Sequence, residues 1–262
     1  MTSRAILVVP CFNEAARLEP GELLRLVELT GTKLLLVNDG STDETSALLA
    51  RLCAASEGRA TQLDLQRNQG KAEAIRRGVV EALRQDPPLV GYFDADLATP
   101  VEELARLMKE IESDRAEVVI GSRVALVGKR IERSYARHLL GRAFATAASA
   151  SLGLVIYDTQ CGAKLFRNTP TVRAAFGSPF RSDWAFDVEL LGRLLYPQDE
   201  ALLALNEQQI VELPLETWRH RAGSKLRPKD MVRAALDLAW VGLDLRRRPS
   251  WRRTAHLRRS VF

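Results

Sequence analysis

The 262-residue chain is poor in the residues that staple or metallate small folds, with three cysteines (Cys11, Cys53, Cys161) and three histidines. An odd number of cysteines at wide spacing, with no CxxC, suggests neither a disulfide framework nor a Cys/His zinc site and fits a reducing compartment. Long hydrophobic runs are also missing. The longest stretch free of charge, 143–157, has 15 residues and is rich in Ala and Ser. A membrane-spanning helix needs about 20, so a buried helix is expected there. The apolar run at 5–9 is too short for a secretory core and has no small-residue cleavage site after it, so it reads as a strand rather than a signal peptide. Acids are absent from the C-terminal end. Residues 245–262 carry Arg246, Arg247, Arg248, Arg252, Arg253, Arg258 and Arg259 and no Asp or Glu, so the net charge of +5 resides in this tail and the body is close to neutral. A basic end interleaved with Trp251, Leu257 and Phe262 suits an anionic surface, lipid or nucleic acid, and equally a solvated tail. Finally, no GxGxxG or GxxxxGK[ST] loop occurs, so any nucleotide must be held without those phosphate cradles.

What is present is a chain with 46% hydrophobic residues, enough for a substantial core. β-rich apolar runs alternate with helical patterns at 5–9, 22–29, 33–37 and 45–55, which predicts a mainly parallel sheet with crossover helices. Ser41 with Glu44, and Thr99 with Glu102, have capping-box spacing before the helices that follow, with Pro100 in the first turn of the second. A helix is expected at 71–85 and strands at 89–93 and 117–121. Basic helical character runs to about 154, and a mixed segment continues to 214. The last helix is expected to present Met231, Val232, Leu236, Ala239, Trp240 and Leu243 on one face. One α/β domain over 1–228 with a basic amphipathic helix and tail over 229–262 is the economical organisation.

The strongest local chemical signal is Asp94-Ala95-Asp96 directly after an apolar strand. Two carboxylates at i and i+2 on such a loop can turn toward one hard divalent cation, which in turn neutralises a diphosphate. An ordinary surface turn would also explain this pair, but ligands of open α/β sheets collect at the carboxyl ends of strands. Asn13 and Glu14 follow the first strand, and Asn38-Asp39-Gly40-Ser41 follow the second. Acids there can accept hydrogen bonds from a base N–H and ribose hydroxyls, or serve plain turn and cap chemistry.

Taken together, VVPCFNE at 8–14, VNDGSTD at 37–43, NQGKAEAIRRG at 68–78, DADLATP at 94–100, GSR at 121–123, DTQCGAKLF at 158–166, FDVEL at 186–190 and GSK at 223–225 resemble the family-2 glycosyltransferases, and within them the polyprenyl-phosphate (dolichyl-phosphate) glucosyltransferases. The resemblance implies a single GT-A-type nucleotide-sugar-binding domain with a mixed, mainly parallel sheet. It places Pro10, Phe12 and Glu14 around the base and ribose, Val37 and Asp39 on the base, and Lys71 and Ala95 near the nucleotide-sugar. Asp94 and Asp96 would hold Mg or Mn and the donor. Arg123, Arg133 and Arg137 would receive the acceptor phosphate, Asp187 would position sugar or acceptor or serve as a base, and His220 and Lys225 would touch the leaving diphosphate.

An acceptor phosphate is already ionised at neutral pH, so positioning and charge stabilisation suffice and in-line attack inverts the anomeric carbon. Mannosyl members carry Gln where this chain has Ala98, which favours UDP-glucose over GDP-mannose as donor. The eukaryotic glucosyl enzymes begin with a transmembrane anchor that this sequence lacks, so peripheral docking on the cytoplasmic face of a membrane is expected, with no nucleic-acid partner. The rivals are a family-2 enzyme with a soluble hydroxyl acceptor, a sugar-phosphate nucleotidyltransferase, which would show a Gly-rich loop after its first strand, and a nucleic-acid-binding protein using the tail. Asp96→Ala is expected to abolish transfer and Arg123→Ala to damage chiefly the use of the lipid phosphate. Wild-type-like turnover by Asp96→Ala in a radiolabel assay would remove the metal mechanism.

Overall fold

The computed structural model describes residues 4–113, 116–124, 128, 130–131, 135–219 and 228–251. In chain order the first half runs β1 (Ala5–Cys11), α1 (Pro20–Thr30), β2 (Lys33–Asn38), α2 (Thr45–Ala55), β3 (Ala60–Asp64), α3 (Lys71–Leu83), β4 (Leu89–Phe93), α4 (Val101–Glu112) and β5 (Val118–Ser122). The second half runs β6 (Arg130–Ile131), α5 (Tyr135–Leu152), β7 (Ala163–Arg167), α6 (Pro170–Gly177), α7 (Phe186–Leu195), β8 (Ile210–Pro214), β9 (Thr217–Trp218) and α8 (Pro228–Arg247). The seven-stranded sheet has the order β3-β2-β1-β4-β7-β5-β8, and β6 pairs with β9 in a small parallel ribbon. All neighbours in the large sheet are parallel except β7, which runs antiparallel to both β4 and β5. This is the mixed, mainly parallel architecture expected from the sequence.

Alternation along the strands feeds two cores. Ile6 and Val8 of β1 join one apolar cluster with α3, α6 and α7, while Ala5, Leu7, Val9 and Cys11 join the other with α1 and α4. Both faces of the parallel strands are therefore covered, which is why they read as continuous apolar runs. Gly78 lets α3 sit close to the sheet, because a Cβ there would lie 2.4 Å from Val8 and 2.7 Å from Val37.

The chain leaves β1 toward β2 and β3 on one side and enters β4 on the other, so a crevice opens beyond the carboxyl ends of β1 and β4. Pro10 fits this place. β4 pairs only with residues 5–8 of β1, so the missing N–H of Pro10 falls where β1 outruns its neighbour.

Neither expected capping box forms. α2 starts at Thr45 with Glu44 as its cap residue and no side-chain cap bond. Asp43 takes over, accepting from the Thr45 amide at 3.0 Å and the Ala15 amide at 3.3 Å, while Ser41 Oγ accepts from the Asn13 amide at 3.1 Å. The sequence GSTD thus ties the β1 and β2 loops together rather than capping a helix. α4 starts after Pro100 with no side-chain cap bond, and Glu102 pairs with Arg25 of α1 instead.

The last helix buries a stripe other than the face expected of it, whose Leu236, Ala239 and Leu243 are exposed. Ala234, Leu238, Val241 and Leu245 form its buried stripe, and Leu238, Val241 and Leu245 join the core. Leu236 and Leu243, at the same i, i+7 spacing, form an exposed second stripe at 66% and 55% exposure. Trp240 is half-buried, with the Arg181 guanidinium 4.2 Å from its ring centroid. Of the other expected positions, the side chains of Met231 and Val232 lie outside the described residues, as does the tail at 252–262. Leu245 is fully buried, and a Cβ at Gly192 of α7 would lie 2.7 Å from it. Leu245→Ala is therefore expected to destabilise the chain by about 2–5 kcal/mol in urea unfolding. A change under about 0.5 kcal/mol would show that α8 is not part of the cooperative core.

Candidate active site

A cavity of about 920 Å³ opens at this crevice, with Lys71, Asp94, Asp96, Arg123 and Asp187 in its wall. Each comes from a different structural constraint. Asp94 leaves β4, its amide donating to the Gly162 carbonyl at 2.9 Å just before β7. Its carboxylate lies where a side chain on residue 162 would be, since a Cβ on Gly162 would meet the Asp94 carboxylate atoms at 2.1–2.4 Å. Leu97 takes φ +50°, and Asp96 Oδ1 accepts from the Ala98 amide at 3.0 Å, which closes the tight loop that turns both acids to one side. Lys71, the first residue of α3, places Nζ 2.5 Å from Asp94 Oδ1. Burial works against the Lys71 charge, but the fields of Asp94 and Asp187 outweigh it and hold its pKa above the ordinary value.

Arg123 follows β5 and is clamped by Asp158, to which Nε donates at 2.6 Å, Nη2 at 2.8 Å and the backbone amide at 3.0 Å. Burial opposes its charge, and Asp158 more than restores it, so Arg123 stays a cation. Its guanidinium also lies 5.6 Å from the Trp218 ring centroid. Nη1 makes no hydrogen bond to a described residue. Asp187, in the first turn of α7, accepts at Oδ1 from Lys164 Nζ at 2.6 Å and from the Tyr92 hydroxyl at 2.5 Å. Neighbouring Glu189 has a different task, accepting from the amides of Arg181 and Ser182 and pairing with Arg193.

Pro10, Phe12, Glu14, Val37 and Asp39 lie at the β1 and β2 ends and are not in the cavity wall. Phe12 is 40% exposed, and Pro10 is half-buried. Glu14 accepts from Arg17 at 2.5 Å, and its Oε2 is buried without a hydrogen-bond partner among the described residues. Burial, reinforced by Asp96 and Asp94 against the lowering effect of Arg17, keeps its pKa above the usual carboxylate value. Val37 and Ala95 place their side chains in the core, so only their backbones can meet a ligand. Asp39, 2% exposed, spends its carboxylate on the Gln69 amide at 2.8 Å and the Gly70 amide at 3.0 Å. These bonds position the loop that delivers Lys71 and leave each carboxylate oxygen a second lone pair. Arg133, His220 and Lys225 lie outside the described residues, as does the side chain of Arg137.

Sequence reasoning assigned no role to Asp158, Gly162, Lys164 or Trp218. The first three sit in DTQCGAKLF, where a glycine and a lysine flanked by apolar residues were the available signal.

No group of three or more His, Cys, Asp or Glu that could hold a metal occurs among the described residues. The donor set is instead two carboxylates, Asp94 and Asp96, facing a cavity. That suits a hard divalent cation which completes its shell with water and diphosphate oxygens.

The sequence profile of Glycosyl transferase family 2 matches residues 6–172, which include the Asp94–Asp96 loop, Lys71, Arg123 and Gly162. The chain belongs to glycosyltransferase family 2. Within the family it is 29% identical over 253 residues to dolichyl-phosphate beta-glucosyltransferase ALG5C of Trichomonas vaginalis, covering 91% of this chain and 71% of that one. It is 30% identical to the dolichyl-phosphate beta-glucosyltransferase of Saccharomyces cerevisiae, over 90% of this chain and 73% of the relative. Among solved structures, glucosyl-3-phosphoglycerate synthase from Mycobacterium tuberculosis in complex with Mn2+, UDP and glucosyl-3-phosphoglycerate shares the fold, with TM-score 0.61, 20% identity and coverage of 93% of this chain and 80% of that one.

The Gly162 contact yields a direct test of how this family-2 site is held. Gly162→Ala is expected to push the Asp94 carboxylate out of place and lower transfer at least 100-fold, with the unfolding midpoint changed little. Unchanged turnover would show that Asp94 needs no such cradle.

Proposed function

We propose that this family-2 enzyme transfers glucose from UDP-glucose to a polyprenyl phosphate with inversion, forming a lipid-phosphate-linked sugar. One observation carries the reading: a single cavity joins two chemistries. Its polar end holds Asp94, Asp96, Lys71 and Arg123, while α5 and α8 supply Leu140, Phe144, Ala147, Leu238 and Ala239. An acceptor with an anionic head and an isoprenoid chain matches such a surface, whereas a small hydrophilic hydroxyl acceptor would leave the apolar half unused. The two dolichyl-phosphate beta-glucosyltransferase relatives support the same acceptor.

Asp94 and Asp96 would hold Mg or Mn, which when bound neutralises charge on a leaving diphosphate. Lys71 sits beside Asp94 to add positive charge there. Arg123, kept charged and oriented by Asp158, meets the acceptor phosphate through its free edge. That phosphate brings its own ionised oxygen. Asp187, whose Oδ1 already takes two donors, is suited to positioning rather than to removing a proton. Ala98, 7% exposed in the cavity wall, offers no side-chain ligand to the cation or donor, in keeping with the glucosyl reading.

No helix among the described residues is long and apolar enough to cross a membrane. Exposed Leu236 and Leu243 on α8, with exposed Arg246 and Arg247 at its end, suit peripheral docking on the anionic cytoplasmic face of a membrane.

The test is transfer of labelled sugar from UDP-glucose and, separately, GDP-mannose into a polyprenyl phosphate, with and without EDTA. EDTA-sensitive glycolipid from UDP-glucose alone is expected. Product from GDP-mannose alone would correct the donor, and absence of glycolipid from either would overturn the acceptor.

A further inference from the structure

Beneath the cavity lies a charge cluster that the proposed transfer step does not itself use. Lys164 is 0% exposed, Tyr92 1% and Asp187 5%. Tyr92 and Lys164 are direct cross-strand partners in the antiparallel β4–β7 pair, so their side chains project from the same face of the sheet toward α7. There the Tyr92 hydroxyl and Lys164 Nζ converge on one atom, Asp187 Oδ1. Lys164 is braced in turn by the Cys161 carbonyl at 2.7 Å, and its Nζ lies 5.2 Å from the Tyr92 ring centroid. A fully buried lysine beside a buried carboxylate is expensive to desolvate, and pairs of this kind contribute little net stability compared with apolar residues of the same volume. What such a pair does supply is orientation. With Oδ1 taken twice, the Asp187 carboxylate cannot rotate freely, and Oδ2, which accepts no hydrogen bond from a described residue, is left for the cavity that Asp187 lines.

We propose that Lys164 and Tyr92 are positioning residues that aim Asp187 Oδ2 at a hydroxyl of the donor's hexose, making this triad the sugar-reading element of the site. The chemistry favours a hydroxyl over the other groups present. A fixed carboxylate oxygen is a poor neighbour for the acceptor phosphate and the donor diphosphate, and it accepts well from a neutral hydroxyl. The contact acts on the transferred sugar and not on the nucleotide. It therefore separates hexoses by the placement of one hydroxyl, since an analogue lacking that hydroxyl would leave a buried carboxylate oxygen unpaired.

This inference rests on the UDP-glucose reading, and donor binding without lipid tests it apart from the acceptor. Titration calorimetry of the full chain with UDP and with UDP-glucose, both in Mn2+, measures the affinity added by the sugar. Wild type is expected to bind UDP-glucose roughly tenfold or more tighter than UDP, the scale of one hydrogen bond to a charged group. Tyr92→Phe should reduce that increment severalfold with UDP affinity unchanged, while Asp187→Ala and Lys164→Met should erase it. A purely structural role would instead weaken UDP and UDP-glucose together. Should Lys164→Met fail to fold, Tyr92→Phe decides alone, since it keeps the ring and removes one donor. The inference is overturned if Tyr92→Phe retains the full increment, or if wild type binds both ligands equally. Wild type that binds neither overturns the nucleotide reading as well.

Discussion

The antiparallel insertion of β7 between β4 and β5 is the constraint on which the site depends. Because β7 returns against β4, Ala163 pairs with Phe93 and Lys164 with Tyr92, and the turn before β7 comes to lie beneath the Asp94–Asp96 loop. That turn contributes the Gly162 carbonyl to the Asp94 amide and leaves room for the Asp94 carboxylate. The same short segment carries Asp158 to Arg123 and Lys164 to Asp187. A parallel strand in this place would begin at the opposite end of β4, so the turn before it could not reach the Asp94–Asp96 loop.

Three cations at or beneath the cavity each have a carboxylate of their own: Lys71 with Asp94, Arg123 with Asp158 and Lys164 with Asp187. The site is therefore charged without carrying large net charge, and its dipoles are arranged before any substrate arrives. Preorganisation of this kind lets a site stabilise developing charge without reorganising at the moment of reaction. The pairs differ in depth, and depth separates their tasks. Lys71 is within reach of solvent and ligand, with its side chain 45% exposed. Arg123 is partly covered, and Lys164 is wholly enclosed, so it can act only through the residue it holds.

The apolar half of the cavity depends on α8. Its inner stripe closes over α5 and α7, and its outer stripe and basic end face away from the core. One helix thus completes the cavity wall and supplies an exposed apolar and cationic surface. In the proposed function this couples seating of the protein on a membrane to the geometry of the cleft into which the lipid must pass.

The sequence by itself determined the parallel half of the sheet and the loop that bears Asp94 and Asp96. Hydrophobic periodicity and punctuation by Gly and Pro are local signals, and the runs at 5–9, 33–37 and 89–93 are covered on both faces. It also identified the family, through a resemblance carried by eight short segments in order. Only the tertiary structure decided what each acid does. Ser41 and Glu102 have the spacing of caps and spend their side chains on other elements. Asp39 has the chemistry of a base-reading acid and also ties down the loop before α3 through two backbone amides. Asp158 and Arg123 are 35 residues apart and meet only through β7 and β5. Spacing along the chain specifies which groups are available, but a hydrogen-bond partner is chosen by strand register and packing between distant segments, and neither has a local signature.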